Sequence, residues 1–326
     1  MNLCCLICKS NYITKIKNGF GWFYDKFDIY RCESCNTHFI DPTTINEAIY
    51  DQIYSSDINS WYIRYDIFSK QVLNKKDPFL WLSNEEIDYM YIYNIIKWMG
   101  ARRKLKILEV WCWLWYTTYS INKSTNHECL WIDISKVSID KAINLYGHYY
   151  DYQRLENIDN DLYDIVFATE VLEHIADPYD FIVQCFSKLK KWWKLIITTP
   201  NKDFRNSKSI RWSDLPPVHI SWITTKWLLL LWQSLSSNSE VWSNLSWWDM
   251  IKIKKNILIE SIMSLCFYKY YNDEIVLKTQ RTQDLSLFHK IMKIILLDFW
   301  PIRIICNILA KLLFSKNNIL CLTIIK

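Results

Sequence analysis

A single stretch, Lys106–Tyr119 (KILEVWCWLWYTTY), constrains the fold of this chain more than any other part of the sequence. It opens with a short apolar run, Ile107–Val110, that is typical of a buried parallel strand. A tight turn and then a helix are expected to follow. Such a turn is glycine-rich where the backbone has to bend sharply and approach a ligand closely. Here the positions that favour glycine carry Trp111, Trp113 and Trp115.

Tryptophan replaces glycine elsewhere in the chain as well. The sequence has 18 Trp and 4 Gly, whereas an average glycine usage of about 7% predicts roughly 23 glycines, which is close to the two counts together. Trp131 lies within a predicted strand, in Leu130-Trp131-Ile132-Asp133, and Trp192 and Trp193 occupy a predicted turn. We hypothesise that the gene uses UGA for glycine and that the written sequence translates UGA as tryptophan. The alternatives are a truly tryptophan-rich protein and a decayed gene product.

Composition and charge set only broad limits. With 326 residues, of which 51% are hydrophobic, the chain can bury the core of one large domain and of a small one. A net charge of +5 is mild and does not by itself predict a nucleic-acid partner. No transmembrane segment is predicted, since no apolar run of the required length is free of charges. Cys4, Cys5 and Cys8 interrupt any apolar signal-peptide region, and the odd number of cysteines predicts a reducing, cytoplasmic location.

Two cysteine pairs near the N-terminus predict a structural metal site. Cys5-x-x-Cys8 and Cys32-x-x-Cys35 would each place two thiolates on one side of a tight turn. Two such turns that face each other give a tetrahedral zinc site with four sulfur ligands. The predicted element is a zinc ribbon over 1–45, with short strands between the pairs and with zinc in a structural role. Coincidental cysteine pairs are the alternative, and Cys4 leaves the register of the first pair open.

Alternating strand and helix patterns from Lys106 onwards predict an α/β fold. The sheet would be doubly wound and Rossmann-like, with seven strands. Strands are predicted at 106–110, 128–132, 148–152, 164–169, 194–199, 240–245 and 318–326. Helices are predicted at 115–124, 136–146, 177–189 and 224–235.

The predicted domains are the zinc ribbon at 1–45, a helical linker or cap at 46–100 and a core at 101–326. The core would contain a helical insertion at about 250–316, because that stretch is longer than a hairpin needs. Within it, 292–314 is apolar but interrupted by charged residues and a proline. We expect it to pack over the sheet or the substrate pocket. A weak contact of this segment with a membrane surface, as an amphipathic helix, is the alternative.

With tryptophan read as glycine, four stretches resemble the motifs of the class I S-adenosylmethionine (SAM) methyltransferases. A further stretch, DLPPVHISW at 214–222, resembles a segment that such enzymes often carry. The layout of ribbon and core resembles bacterial small-molecule enzymes of the Methyltransferase type 11/23 kind. The resemblance covers 101–245 and implies SAM as the cofactor. The four stretches are ILEVWCWLWYTT, LWIDIS, YDIVFATEVLEHIADP and LKKWWKLIITTPN.

The resemblance also implies roles for individual residues in binding SAM. The loop at 111–115 would wrap the methionine end, and Glu109 would hold that loop and the ammonium group. Capping of the next helix is the alternative role for Glu109. Asp133 would accept hydrogen bonds from both ribose hydroxyls, and Asp151 or its neighbour Tyr152 would lie near the adenine. The complete predicted set is Glu109, Trp111, Cys112, Trp113, Trp115, Asp133, Ile134, Asp151, Thr169 and Glu170.

The acceptor side is predicted from the stretch EVLEH. On a helical turn Glu170, Glu173 and His174 share one face. In the ubiquinone-pathway O-methyltransferases that this stretch resembles, such residues are associated with a divalent metal, and shaping of the pocket without metal is the alternative. His174 and His219 are the candidate catalytic residues, as general bases, because imidazole titrates near neutral pH. A purely structural role is equally open for each histidine.

The predicted function is SAM-dependent methyl transfer to an oxygen or carbon atom of a small molecule, such as a sugar or a lipid or quinone precursor. Nucleic acid is not the expected partner, since the [ND]-P-P-[YFW] motif that cradles an exocyclic amine does not follow the fourth predicted strand. One alternative is an rRNA methyltransferase with a zinc-ribbon reader. Another is a catalytically dead zinc-ribbon binding protein, which is favoured if the tryptophans are real.

Overall fold

The computed structural model describes residues 3–6, 8–20, 27–41, 63–111, 115–204, 216–228, 230 and 319–325. All of them belong to one unit of the chain, which comprises 1–56, 61–243 and 318–326. The predicted insertion at 250–316, its segment 292–314 and the strand predicted at 240–245 lie outside the described residues. None of the described helices is long and apolar enough to cross a membrane.

A small antiparallel sheet follows the first cysteine pair in the chain, and the second pair lies at the turn between two of its strands. Its strands are β1 (Ile13–Phe20), β2 (Phe27–Cys32) and β3 (His38–Asp41), as the ribbon prediction requires. A fourth strand, β9 (Ser221–Trp222), pairs with β3, although it lies much later in the chain, within the predicted core. The ribbon is therefore completed by a segment that the sequence-based domain boundaries assign to the core.

Between the ribbon and the large sheet, the described residues form three helices: α1 (Ile63–Gln71), α2 (Pro78–Ser83) and α3 (Ile87–Met99). α2 begins at Pro78, whose missing N–H suits the first turn, and the Asp77 carboxylate accepts a hydrogen bond from Leu80 N at 2.9 Å. These helices lie within 63–100, the described part of the predicted linker or cap, whose boundaries stay a prediction.

The large sheet has six described strands in the order β10-β8-β7-β4-β5-β6. β4, β5, β6, β7 and β8 are parallel, and β10, from the end of the chain, runs antiparallel to β8. The mixed α/β fold with a central parallel sheet is thus confirmed. The strands are β4 (Lys106–Val110), β5 (Glu128–Asp133), β6 (Tyr150–Tyr152), β7 (Tyr163–Thr169), β8 (Leu189–Pro200) and β10 (Ile319–Ile325).

Helices cover both faces of this sheet, which explains why all seven residues of β7 are buried. They are α4 (Tyr116–Ser124), α5 (Lys136–Tyr146) and α6 (Pro178–Ser187), in addition to α3. Successive side chains of a strand point to opposite faces. Accordingly, Ile165 and Phe167 pack with α3, whereas Val166 and Ala168 pack with α6 and the ribbon.

One boundary differs from the prediction. The helix predicted to reach Leu189 ends at Ser187, and β8 begins at Leu189 rather than at 194. Tyr163 pairs with Leu189 but Ile165 pairs with Lys194, so β8 carries extra residues in a bulge. A bulge interrupts the alternation from which strand boundaries are predicted. Trp192 lies in it with a φ of 69°.

Candidate functional site

The order of the strands places the candidate site at the carboxyl ends of β4 and β7. From β4 the chain proceeds to β5 and β6 on one side, and from β7 it proceeds to β8 on the other. At such a reversal the two connections leave in opposite directions, which opens a crevice where ligands bind in open α/β sheets. Most of the residues predicted to bind SAM lie at this edge.

Glu109 lies in β4 and is fully buried. Its carboxylate accepts a hydrogen bond from the Thr118 hydroxyl of α4. This bond joins the strand to the helix that follows the loop at 111–115, so it holds the two ends of that loop together. This position is compatible with both roles predicted for Glu109, namely support of the loop and contact with the helix that follows it.

Trp111 follows β4 with a φ of 50°, in the left-handed region that a bulky side chain resists. Its backbone N–H donates to Ile132 O at 3.0 Å, so the conformation is fixed by the neighbouring strand β5. Its ring lies against Phe181 of α6, with 5.4 Å between the centroids. The indole N–H groups of Trp111 and Trp115 are buried, and neither finds a hydrogen-bond partner within the described residues. Cys112 and Trp113 lie outside the described residues.

Trp115 precedes α4 with a φ of −50°, a conformation open to any residue. Its carbonyl oxygen accepts a hydrogen bond from the Tyr150 hydroxyl at 2.7 Å. Trp131 is fully buried within β5, edge-to-face with Tyr150, and its indole N–H also lacks a partner among the described residues. Unlike at 111, glycine at 115 or 131 would not relieve backbone strain. It would only empty the space that the indole ring fills.

Asp133 ends β5, next to β4, and is almost fully buried. Its carboxylate accepts a hydrogen bond from Ser135 N at 2.7 Å, and the Ser135 hydroxyl caps α5. Ile134 lies between them. Asp151 is exposed in β6 and accepts a hydrogen bond from the Gln153 amide at 2.7 Å. Asp133 therefore lies at the crevice, and Asp151 lies further out on the same edge.

Thr169 ends β7 and is buried. Glu170 follows it with a φ of 54°, and its N–H donates to Thr198 O of β8 at 3.0 Å. A left-handed residue directly after a central strand turns the chain sharply across the carboxyl edge. The next residues, Leu172–His174, form one turn of 3₁₀ helix.

Glu173, His174 and His219 come together beyond β7, and one possible ligand atom from each lies within 4.8 Å of the others. Glu173 is buried and accepts a hydrogen bond from the Thr199 hydroxyl of β8 at 2.9 Å. The rings of His174 and His219 lie perpendicular to each other, 4.8 Å apart. The sequence predicted each histidine separately. It did not predict their contact, and Thr199 was missed because it is an ordinary strand residue by pattern.

The four predicted cysteine ligands also come together. Sγ···Sγ distances are 3.7 Å for Cys5 and Cys35 and 3.5 Å for Cys8 and Cys32. A disulfide would need about 2.05 Å, whereas Zn–S bonds of about 2.3 Å put two sulfurs of a tetrahedral site about 3.8 Å apart. Cys4 is not part of the cluster among the described residues, which resolves the register of the first pair.

The backbone around the cysteines supports a metal site. Lys9 and Asn36, each directly after the second cysteine of a pair, have φ values of 56° and 60°. Each turn is closed by a backbone hydrogen bond to the first cysteine of its pair. The pKa of the Cys35 thiol is lowered to about 5, chiefly by its hydrogen bond with Cys5, whereas burial raises the pKa of the Cys8 thiol to about 11, so the thiolate is favoured at Cys35.

Comparison with known proteins matches part of the core to a family model. Residues 115–235 match the family model described as a methyltransferase domain, Methyltransf_23. No curated protein sequence matches the chain. Two solved structures illustrate the similarity of fold. The SAM dependent methyltransferase from Archaeoglobus fulgidus is 14% identical, with a TM-score of 0.40 over 74% of this chain and 95% of that one. The plantazolicin methyltransferase BpumL in complex with SAH is 15% identical, with a TM-score of 0.42 over 61% of this chain and 84% of that one.

The family match extends from the residue before α4 to beyond β9, and so covers most of the crevice described above. Residues 115–235 therefore match a methyltransferase domain.

Proposed function

We propose that the natural protein carries glycine at 111, 113 and 115 and uses the resulting loop to bind SAM. The observation that carries this proposal is the left-handed backbone of Trp111 at the carboxyl end of β4. Gly147, one of the four written glycines, also has a positive φ, of 94°. The buried indole N–H groups of Trp111 and Trp115 also support glycine at these positions. A buried donor without a hydrogen-bond partner, as these are among the described residues, costs about 1–3 kcal/mol.

In the glycine form, this chain's residues would hold SAM in the crevice. Glu109 supports the loop through Thr118, and Asp133 offers a buried carboxylate to the ribose hydroxyls at the next strand. Asp151 is proposed near the adenine. SAM supplies the methyl group and the positive charge that drives its transfer. The role of the protein is to align donor and acceptor.

The proposed acceptor is an oxygen or carbon atom of a small molecule, such as a sugar or a lipid or quinone precursor. Support comes from the Glu173, His174 and His219 cluster beyond β7, at the same edge of the sheet. His174 Nδ1 donates to Val218 O at 2.5 Å, which orients the ring, and an oriented histidine at this edge is a candidate general base toward an acceptor hydroxyl. Transfer to an rRNA base is the second candidate, and a basic groove would favour it.

Zinc in the cysteine cluster is proposed to be structural, since four sulfur ligands leave no open position. A cytoplasmic location is proposed as well. It is supported by the fact that none of the seven described cysteines forms a disulfide, Cys129 and Cys185 in the core included.

The test has two parts. Mass spectrometry of peptides from the native protein should show glycine at 111, 113 and 115. Calorimetry should show SAM binding by the full-length protein with those three glycines and none by the protein as written. A native peptide with tryptophan at these positions, or equal SAM affinity of the two forms, would refute the proposal.

A further inference from the structure

Tyr150, at the start of β6, contacts the backbone at the end of the loop at 111–115. Its hydroxyl donates a hydrogen bond to the carbonyl oxygen of residue 115 at 2.7 Å, and the side chain is buried. Residue 115 is the N-cap of α4, and the N-cap carbonyl accepts the first hydrogen bond within a helix. Because a carbonyl oxygen has two lone pairs, the tyrosine can hold this group without displacing the helical bond.

Tyr150 lies in the same row of the large sheet as Glu109. Glu109 of β4 pairs with residue 131 of β5, and residue 131 pairs with Tyr150 of β6. Side chains at paired positions of neighbouring strands point to the same face. Glu109 bonds Thr118 in the first turn of α4, and Tyr150 bonds residue 115 just before that turn. The row therefore holds the beginning of α4 at two points.

The contact of Tyr150 does not depend on whether tryptophan or glycine stands at 115, because it uses a backbone oxygen. The ring of Tyr150 also packs against Tyr146 and Tyr149, with centroids 6.2 and 6.4 Å away, and these neighbours remain if Trp131 is glycine as well. A loop with three glycines has more conformational freedom to lose when it is ordered. A hydrogen bond from outside the loop is therefore more important in the glycine form.

The surroundings of Tyr150 keep its hydroxyl a donor. Burial raises the pKa of Tyr150 well above its ordinary value, and the nearby charge of Glu109 raises it further. The hydroxyl consequently stays protonated over the whole range around neutral pH, and its bond to the carbonyl of residue 115 is not lost by titration.

We propose that Tyr150 is a positioning residue, which fixes the carbonyl group of residue 115 and the start of α4 in the orientation that binds SAM. Its effect on the backbone is independent of the proposed function, whereas its effect on SAM rests on that function. Ordering the backbone before the ligand arrives raises affinity, because less conformational entropy is then lost on binding.

The test compares Tyr150→Phe with Tyr146→Phe in the full-length glycine form. Tyr146 is the matched control, because both tyrosines are 6% exposed and the Tyr146 hydroxyl also donates to a backbone carbonyl, that of Ser69, at 2.8 Å. Each variant loses one hydroxyl and one such bond, so a purely structural role would affect both alike. Calorimetry should show SAM binding about three- to tenfold weaker in Tyr150→Phe and unchanged in Tyr146→Phe.

Hydrogen exchange of the SAM-free protein follows the backbone directly. Tyr119 lies four residues after residue 115, so its amide reports on the first turn of α4. This amide should exchange at least about threefold faster in Tyr150→Phe and at the parent rate in Tyr146→Phe. If Tyr150→Phe does not fold in the glycine form, the same exchange rates are compared in the protein as written.

The two measurements separate this proposal from the proposed function. If the glycine form binds SAM, then equal affinity of Tyr150→Phe, an equal loss in Tyr146→Phe, or unchanged exchange at Tyr119 would overturn the role of Tyr150 alone. If the glycine form binds no SAM, the proposed function is refuted, and the exchange rate at Tyr119 decides by itself whether Tyr150 holds the start of α4.

Discussion

Trp192 lies on the surface with its backbone in the left-handed region. It is 76% exposed and has a φ of 69°. Trp192→Gly should therefore raise the free energy of unfolding by about 0.5–1 kcal/mol, because it relieves left-handed strain of about 1–2 kcal/mol, less the entropy cost of glycine. Urea denaturation of the two proteins measures the change.

Trp98 provides a matched control, since it is 74% exposed but lies within α3. Trp98→Gly should lower the free energy of unfolding by about 0.5–1 kcal/mol, because glycine is a poor helix former. If both variants changed the free energy of unfolding in the same direction, the prediction that left-handed strain at 192 destabilises the protein would be wrong.

Asp133 is the residue through which the ribose prediction can be tested. Asp133→Asn keeps an oxygen that can accept the hydrogen bond from Ser135 N, but it loses the negative charge. In the glycine form we expect SAM to bind about 2–3 kcal/mol more weakly, because charge-assisted hydrogen bonds are lost. Asp140→Asn, at an exposed position of α5, is the control and should leave calorimetric affinity unchanged. Equal affinities in all three proteins would place the ribose elsewhere.

At the scale of elements, the predicted ribbon is hydrogen-bonded to the part of the core that holds Glu173, His174 and His219. Ile40 N donates to Ile220 O at 3.0 Å, and Ile220 N donates to Glu173 O at 2.9 Å. The Thr224 hydroxyl also donates to Cys35 O at 2.6 Å. One short segment thus connects the metal ligands of the ribbon with the Glu173, His174 and His219 cluster.

Loss of zinc should therefore affect the acceptor side more than the SAM side. Cys8→Ser should abolish zinc binding and lower the rate of methyl transfer, whereas SAM affinity in the glycine form should change little. Cys4→Ser, next to the ligands but outside the cluster, is the control. Zinc content, SAM calorimetry and turnover are measured on each variant, and a Cys8→Ser protein with normal turnover would contradict this coupling.

The sequence predicted the strands and helices of the core well because their patterns are local. α5 at Lys136–Tyr146 agrees with the predicted range at both ends, since Ser135 provides a cap and Gly147 a stop. The pairing of β9 with β3 could not be predicted, because it joins residues that are far apart in sequence and β9 is only two residues long. The contact of His219 with His174 depends on that same long-range pairing.

At the scale of the whole molecule, the carboxyl and amino ends of the parallel strands differ in function. The carboxyl edge holds the crevice. At the opposite edge Asp164, near the start of β7, accepts hydrogen bonds from Lys106 N, Arg103 and Lys190 at 2.7, 2.9 and 3.0 Å. This single buried carboxylate connects the chain before β4, β4 itself and β8. Its removal should alter stability without altering the site.

The pKa of Asp164 gives this prediction a pH dependence. Burial alone would raise the pKa of Asp164, but the hydrogen bonds from Lys106 N, Lys190 and Arg103 outweigh burial and lower it below the ordinary 3.8. A lowered folded pKa means that the carboxylate stabilises the fold above the ordinary value, and that this contribution is lost as pH falls through the folded pKa.

Asp164→Asn should therefore lower the free energy of unfolding by about 1–3 kcal/mol at neutral pH. The deficit should shrink below pH ~4, where the wild-type protein loses the same contribution. Urea denaturation at a series of pH values measures both curves, and Asp159→Asn, at an exposed carboxylate, should follow the wild type throughout. SAM affinity of the folded Asp164→Asn protein should stay unchanged in the glycine form, because the carboxyl edge is left intact. A deficit that persists undiminished in acid would show that shape, and not charge, is what Asp164 contributes.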